Sequence, residues 1–259
     1  MNYEIKQLDK FKYIEIGTGE PIVLLHGLFG ALSNFKDLID HFSKNYKVVV
    51  PLLPLFELDI FHTSVGGLAK YVNRFIEARG LNKVHLLGNS LGGHVGLVHI
   101  LKHPECIKTL TLTGSSGLFE SGMGDSYPKR GDKDYIRNKT RLTFYDPAMA
   151  TDELVDEVFE ITNNRIKVIK IIALAKSAIR NNLGEELKKI KQPTCLIWGN
   201  NDTITPPFVA EEFKKLIPNS ELHLIDKCGH APMMEVPAEF NVILEQFLSK
   251  HRQPATTLA

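Results

Sequence analysis

Lys83-Val84-His85-Leu86-Leu87-Gly88-Asn89-Ser90-Leu91-Gly92-Gly93 is the stretch from which the fold can be read. A run of strand formers, Val84 to Leu87, ends abruptly in a Gly-x-Ser-x-Gly turn, and Gly93 to His103 reads as a helix. That is the pattern of a nucleophile elbow, where a serine on a tight strand-to-helix turn presents its hydroxyl outward. Gly88 and Gly92 stand two residues either side of Ser90, where such a turn leaves no room for Cβ atoms. The helix behind the turn offers free N–H groups and the positive end of its dipole to an oxyanion formed nearby. An ordinary Gly-rich turn would fit the pentad alone, so the flanking chain has to decide.

Upstream, Tyr3 to Leu8 and Lys12 to Ile16 alternate in polarity and read as two strands. Ile22-Val23-Leu24-Leu25 and Val48-Val49-Val50 are short continuous apolar runs, as expected of strands buried on both faces. Val65 to Arg79 has apolar residues at helical spacing and is closed by Gly80. Downstream, Ile107 to Thr113 reads as the strand after the elbow helix. Strand-helix alternation of this kind indicates a parallel sheet with crossover helices. The rhythm breaks after Gly114, and Ser115 to about Arg141 shows no clear period. Asp146-Pro147 and Thr151-Asp152-Glu153 look like helix starts, and Ile166 to Ala178 is apolar on nearly every face, which predicts a helix buried on several sides. Residues 115–188 are therefore read as a helical cap between two sheet strands, with the core formed by 1–114 and 189–251. Cys195 to Trp198 and Leu222 to Ile225 resume the sheet, Pro237 to Lys250 closes it with a helix, and 252–259 reads as a frayed tail.

Composition narrows the partners. With 259 residues, 43% hydrophobic and 24% charged, the chain has the makeup of a globular domain with one substantial core. A net charge of +1 supplies no field for nucleic acid, and no apolar run approaches the ~20 residues of a membrane helix. Met1 to Lys6 lacks a basic n-region and an apolar h-region. Cys106, Cys195 and Cys228 are an odd, widely spaced set without C-x-x-C. Reduced thiols and a cytoplasmic location are expected.

A serine hydroxyl needs an adjacent base, itself oriented by a third group. Candidates occur after two later strands, where a parallel sheet gathers functional groups: Asp202 in Gly199-Asn200-Asn201-Asp202, and His230 in Cys228-Gly229-His230. With these motifs, His26-Gly27 upstream, and Glu235 and Pro237 after His230, the chain resembles the α/β-hydrolase fold family, serine-nucleophile branch, from about Phe11 to Lys250. The resemblance implies a mostly parallel eight-stranded sheet flanked by helices. It gives Ser90 the role of nucleophile, His230 that of base and Asp202 that of its orienter. The oxyanion hole would use the N–H of Leu91 and, by resemblance, that of Leu28, with Phe29 as the alternative one register away. His26 reads as a brace for the oxyanion loop, Glu235 as a carboxylate near the N-terminus of the last helix, and Cys228 as a small packed thiol.

The nucleophile indicates acyl chemistry with water as acceptor, since relatives acting on haloalkanes or epoxides carry aspartate there. Phe29, Met233, Met234 and the apolar cap helix suggest a pocket for apolar groups, which makes a small to medium carboxylic ester the expected substrate. Asn89, Phe144-Tyr145-Asp146-Pro147 and Arg165 are also similar to the meta-cleavage-product hydrolases, which split carbon–carbon bonds. By that resemblance Arg165 would hold a substrate carboxylate. Leu28-Phe29-Gly30 and Ala231 depart from the Gly-Pro-rich loop and the Trp typical of those enzymes. A ligand receptor, a hydroxynitrile lyase or a perhydrolase on the same site are further alternatives. His99 and His103 stand four apart, but no carboxylate follows His99 as a zinc-protease motif requires, so neither metal nor cofactor is expected. Tyr127 to Arg141, with six basic and two acidic residues, reads as a solvated loop. Pro51 to Phe56 is apolar, as a pocket rim, a subunit contact or core.

Overall fold

The apolar runs become one eight-stranded sheet in the order β1-β2-β4-β3-β5-β6-β7-β8. The structure, a computed structural model, describes residues 3–29, 32–119 and 131–252. The strands are β1 Lys6–Leu8, β2 Phe11–Ile16, β3 Pro21–Leu25, β4 Lys47–Pro51, β5 Val84–Asn89, β6 Ile107–Thr113, β7 Thr194–Gly199 and β8 Ser220–Ile225. β1 and β2 form an antiparallel hairpin, and β2 also runs antiparallel to β4. All the other pairings are parallel.

Because successive side chains point to opposite faces, each apolar run feeds two cores. Val23, Leu25, Leu86, Leu110 and Trp198 pack on one face with helices α2 (Val65–Ala78), α3 (Leu91–Lys102) and α8 (Pro207–Leu216). Ile22, Leu24, Leu87, Cys195 and Ile197 pack on the other with α1 (Lys36–Phe42) and the last two helices, α9 (Pro232–Glu235) and α10 (Pro237–Lys250). β5 is central and buried along its whole length, and Ser90, the first residue after it, is only partly buried.

Between β6 and β7 the chain forms α4 (Lys133–Arg141), α5 (Asp152–Asn163), α6 (Arg165–Arg180) and α7 (Gly184–Leu187). The two ends of this insertion are stitched together. Leu183 N–H donates to Gly117 O at 2.8 Å, and Asn182 Nδ2 donates to Leu118 O at 2.6 Å. α4 lies where no period was visible. It is polar, buries Ile136 and Thr140, starts at an Asp132 cap, and pairs Arg137 with Asp152 of α5 at 2.5 Å. The expected loop is thus a helix over 133–141, and the basic residues of that stretch up to Arg130 lie outside the described residues.

α6 also departs from expectation. It buries Ile171, Leu174 and Ala178, whereas Ile166, Ile169 and Ile179 are exposed. Leu53 and Leu55 of the apolar 51–56 stretch are core residues. Gly80 takes a positive φ of 60°, as a helix-closing glycine should. Of the expected tail, 253–259 lie outside the described residues. Among the described residues no helix is long and apolar enough to cross a membrane.

Candidate active site

In a parallel sheet the loops after the strands gather at one edge, and here that edge carries His26 after β3, Ser90 after β5, Gly114 after β6, Asp202 after β7 and His230 after β8. Ser90 sits between β5 and α3 with φ 54° and ψ −122°, a conformation disfavoured for any residue with a Cβ. Hydrogen bonds hold it there. Its N–H donates to Thr113 O at 3.1 Å, and its carbonyl accepts from His94 N at 3.2 Å and Ser116 N at 3.3 Å. The glycines are required by crowding: a Cβ on Gly88 would come 2.5 Å from Gly93 Cα, and one on Gly92 would come 2.0 Å from Leu25 O. The turn therefore packs directly on the end of β3.

His26, Gly27, Leu28 and Phe29 follow that end, and a Cβ on Gly27 would lie 3.2 Å from Ser90 Cβ. His26 is fully buried, and burial pushes its pKa down, so the ring is neutral. Nε2 must accept from the Leu53 N–H at 3.0 Å, so Nδ1 carries the proton and donates to Gly27 O at 3.0 Å. His26 thus ties the loop beside Ser90 to the loop after β4. Leu91 is the first residue of α3, so its N–H has no acceptor one turn earlier in the helix. Leu28 and Phe29 are half-buried in the adjoining turn.

Asp202 is buried and fully satisfied. Oδ1 accepts from Ile204 N at 2.8 Å and Thr205 N at 2.9 Å, while Oδ2 accepts from Thr205 Oγ1 at 2.8 Å and His230 Nδ1 at 2.9 Å. A carboxylate can only accept, so the Thr205 hydroxyl proton is committed to Oδ2 and His230 must carry its own proton on Nδ1. Nε2 is left with a lone pair. His230 is brought to Ser90 through shared backbone: Asn89 Nδ2 donates to Thr113 O at 3.0 Å and to His230 O at 3.3 Å. A Cβ on Gly114 would fall 2.8 Å from His230 Nδ1, so the turn after β6 has to be glycine for the ring to fit. Ser90 Oγ makes no hydrogen bond among the described residues. A loose nucleophile–base contact is common before a substrate closes it.

The remaining expected site residues fall elsewhere. Asn89 has both amide N–H groups committed to the carbonyls above, which makes it a brace for His230 rather than a substrate contact. Met233 is 1% exposed and belongs to the core with Phe240 and Phe247, not to a pocket wall. Arg165 is exposed at the start of α6. Cys228 is buried, and burial pushes its thiol pKa up, as suits a packed thiol.

Glu235 has a role that sequence reading missed. It closes α9 just before α10 begins, and Oε1 accepts from Gly229 N at 2.7 Å. Oε2 accepts from Tyr145 N at 2.7 Å and Asp146 N at 3.3 Å. His230 N–H also donates to Thr143 O at 2.8 Å, and Thr203 Oγ1 to Leu142 O at 2.9 Å. The 142–146 stretch of the insertion is therefore fastened to the loops of both Asp202 and His230. His94 makes a second link, with Nε2 2.9 Å from Asn181 O at the end of α6. One group of potential metal ligands occurs among the described residues, Cys195, Glu221 and His223, at the opposite end of β7 from the edge carrying Ser90. Glu221 there is already paired with Lys250 at 2.9 Å and His223 at 3.1 Å, and burial pushes the Cys195 thiol pKa up.

A family model described as "Alpha/beta hydrolase family" matches residues 22–242. A solved alpha/beta hydrolase enzyme from the metagenome of lagoon sediments at Mar Chica, Morocco, is 46% identical, with 95% of this chain and 98% of that one covered and a TM-score of 0.80. A monoacylglycerol lipase of Xenopus laevis is 27% identical over 96% of this chain and 82% of its own length. A 2-hydroxy-6-oxo-6-(2'-aminophenyl)hexa-2,4-dienoic acid hydrolase of Metapseudomonas resinovorans is 29% identical over 92% of this chain and 87% of its own.

Proposed function

The chain belongs to the alpha/beta hydrolase family, and from that premise we propose that it is a serine hydrolase cleaving small to medium apolar carboxylic esters through an acyl-enzyme. The observation that carries this reading is the 2.9 Å contact from His230 Nδ1 to Asp202 Oδ2, which leaves Nε2 as a base on the sheet edge where Ser90 stands. Ser90 Oγ attacks the ester carbonyl as its proton passes to Nε2. The N–H groups of Leu91 and Leu28 receive the oxyanion. Collapse of the tetrahedral species expels the alkoxide, which takes the proton from Nε2. Water then attacks the acyl-enzyme with Nε2 as base and releases the acid and Ser90. Asp202 keeps the imidazole in one tautomer and stabilises the imidazolium at both steps.

Residues 115–188 act as the cap that shapes the acyl pocket, with Phe29 on its wall. Support comes from the bonds of Thr143, Tyr145, Asp146 and Asn181 to the site loops. The three cysteines are free thiols, in keeping with action in the cytoplasm. Hydrolysis of 4-nitrophenyl esters from acetate to dodecanoate, compared with Ser90→Ala, tests the reading. Turnover lost in the variant supports it, and the preferred chain length measures the pocket. Absence of turnover on every ester overturns it. The similarity to a dienoic acid hydrolase favours carbon–carbon bond cleavage as the second reading. Its test is the same pair of proteins on vinylogous diketo acids.

A further inference from the structure

α6 carries Arg165, Lys167, Lys170, Lys176 and Arg180 and no acidic residue, in a chain whose net charge is only +1. Its buried positions, Ile171, Leu174 and Ala178, define the inward face at i, i+3, i+7. Arg165, Ile166, Ile169, Lys176 and Arg180 share the opposite side, where Ile166 is 67% and Ile169 48% exposed. Beside α6 stands the loop that leaves the C-terminal end of β4, the same sheet edge as Ser90. Lys170 Nζ donates to Phe56 O at 2.5 Å and Leu58 O at 2.6 Å, and Lys167 lies over the Phe56 ring at 5.3 Å. These bonds fasten the loop to α6.

The loop presents Phe61, which is 93% exposed, on a turn that is itself well bonded. Asp59 Oδ1 accepts from Phe61 N at 3.0 Å and His62 N at 3.2 Å, Asp59 Oδ2 lies 2.6 Å from His62 Nδ1, and Thr63 Oγ1 donates to Asp59 O at 2.8 Å. A phenyl ring held outward beside exposed Ile60, on a loop fastened to the helix that exposes Ile166 and Ile169, departs from the scattered exposure of ordinary surfaces. Apolar side chains interleaved with cations on one helical face are the makeup of a segment that lies in a headgroup layer.

We propose that α6 and the 56–61 loop dock on an anionic lipid surface. Phe61, Ile166 and Ile169 enter the headgroup layer, and Arg165, Lys176 and Arg180 pair with lipid phosphates. The nearby loop acids are already engaged, Asp59 in its turn and Glu57 with the Phe56 N–H at 3.1 Å. The rival occupant is a second copy, whose exposed Glu153, Glu157 and Glu160 on α5 could meet the cations of α6. Phe61 weighs against it, because a projecting ring needs an apolar socket on a rigid partner.

The test reads binding, not turnover, so its failure is separate from failure of the ester hydrolase reading. The full chain carrying Ser90→Ala is pelleted with sucrose-loaded vesicles of phosphatidylcholine, alone or mixed with phosphatidylglycerol. Binding to the mixed vesicles, weakened by salt, is expected. Phe61→Ser with Ile166→Ser, and separately Lys176→Glu with Arg180→Glu, should each reduce the partition coefficient by about tenfold or more, with unchanged melting curves. No partition of the parent protein onto anionic vesicles, or partition that both variants leave intact, overturns the proposal. So does concentration-dependent dimerisation that Lys176→Glu with Arg180→Glu abolishes while vesicles bind nothing.

Discussion

Nδ1 of His230 lies 2.9 Å from Oδ2 of Asp202, and the Thr205 hydroxyl, 2.8 Å from that same oxygen, leaves the imidazole a single neutral tautomer. Thr205 Oγ1 is also 3.3 Å from Nδ1, so three polar groups share one small volume and their protons must be ordered. The order follows from the carboxylate, which can only accept.

Asp202→Asn should reverse it. The backbone N–H groups of Ile204 and Thr205 both point at Oδ1 and require an oxygen there, so the new amide would turn its NH2 toward His230. Nδ1 would then have to accept, Nε2 would carry the proton, and the base would be lost. A fall in kcat of about 10⁴-fold is expected, the scale known for this substitution in serine protease triads. Steady-state kinetics beside a thermal melt will check it, and a fall below tenfold in a folded variant would contradict the assigned tautomer.

Thr205→Val removes one hydrogen bond to the carboxylate and keeps the shape. The Nδ1–Oδ2 contact and the two backbone donors remain, so the tautomer survives. Loss of a single bond to a charged acceptor, about 1.5 kcal/mol, predicts roughly a tenfold lower kcat with KM unchanged. A change in KM alone would assign Thr205 to substrate contact instead.

Glu235→Gln tests the clamp between the His230 loop and the insertion. Oε1 faces the Gly229 N–H and Oε2 faces those of Tyr145 and Asp146, so either orientation of glutamine sets an NH2 against a backbone donor. Burial pushes the Glu235 pKa up, yet the three donors reward the ionised form. A loss of about 1–3 kcal/mol in stability is expected, with kcat lowered more than KM because Gly229 precedes His230. Denaturant titration and kinetics on one ester decide the matter, and a stable variant with unaltered kcat would dismiss the clamp.

Ser90→Gly and Ser90→Ala should differ in stability though both remove the nucleophile. At φ 54° and ψ −122° a Cβ is strained by roughly 1–3 kcal/mol, and alanine keeps that strain. Glycine relieves it but loses about 0.5–1 kcal/mol in unfolded-state entropy. A net advantage of about 1 kcal/mol for glycine over alanine is expected by denaturant titration, and equal midpoints would mean that the elbow stores no strain.

The parts of this fold that were legible in sequence are those whose signal is local. β3 and β5 are continuous apolar runs because both faces of the sheet are covered, and the glycines at 88 and 92 are dictated by contacts within the turn or with the adjoining strand. Asp202 and His230 could be placed because strand ends in a parallel sheet converge. α4 was invisible because only Ile136 and Thr140 face inward, too few to make a stripe. α6 misled in the opposite sense, since its outward isoleucines carry the same apolar signal as its buried ones. Glu235 could not be read from its own neighbourhood, because Tyr145 lies 90 residues away in the chain. Asn89 enters the sequence reading through a resemblance and Met233 through its apolar side chain, whereas both side chains turn inward, to carbonyls and to core.

His99 supplies a prediction for pH. Both of its ring nitrogens are buried without a partner among the described residues, and burial, with the nearby His103 charge second, takes its pKa down to about 4. His94 is likewise pushed down to about 4 by burial. In the unfolded chain both return to the ordinary 6.5, so between pH 6.5 and about 4 the unfolded state binds more protons than the folded one. The stability these rings confer is therefore complete above 6.5 and drains away as pH falls through about 4. By pH ~5 each ring should have cost on the order of 2 kcal/mol relative to neutral pH. His99→Leu removes one of the two contributions and replaces unpartnered nitrogens with apolar volume. It should raise stability at neutral pH by about 1 kcal/mol and roughly halve the acid loss due to this pair. Denaturant titrations at pH ~7.5 and ~5 measure both, and an identical acid loss in the variant would show that His99 reaches its proton in the folded state.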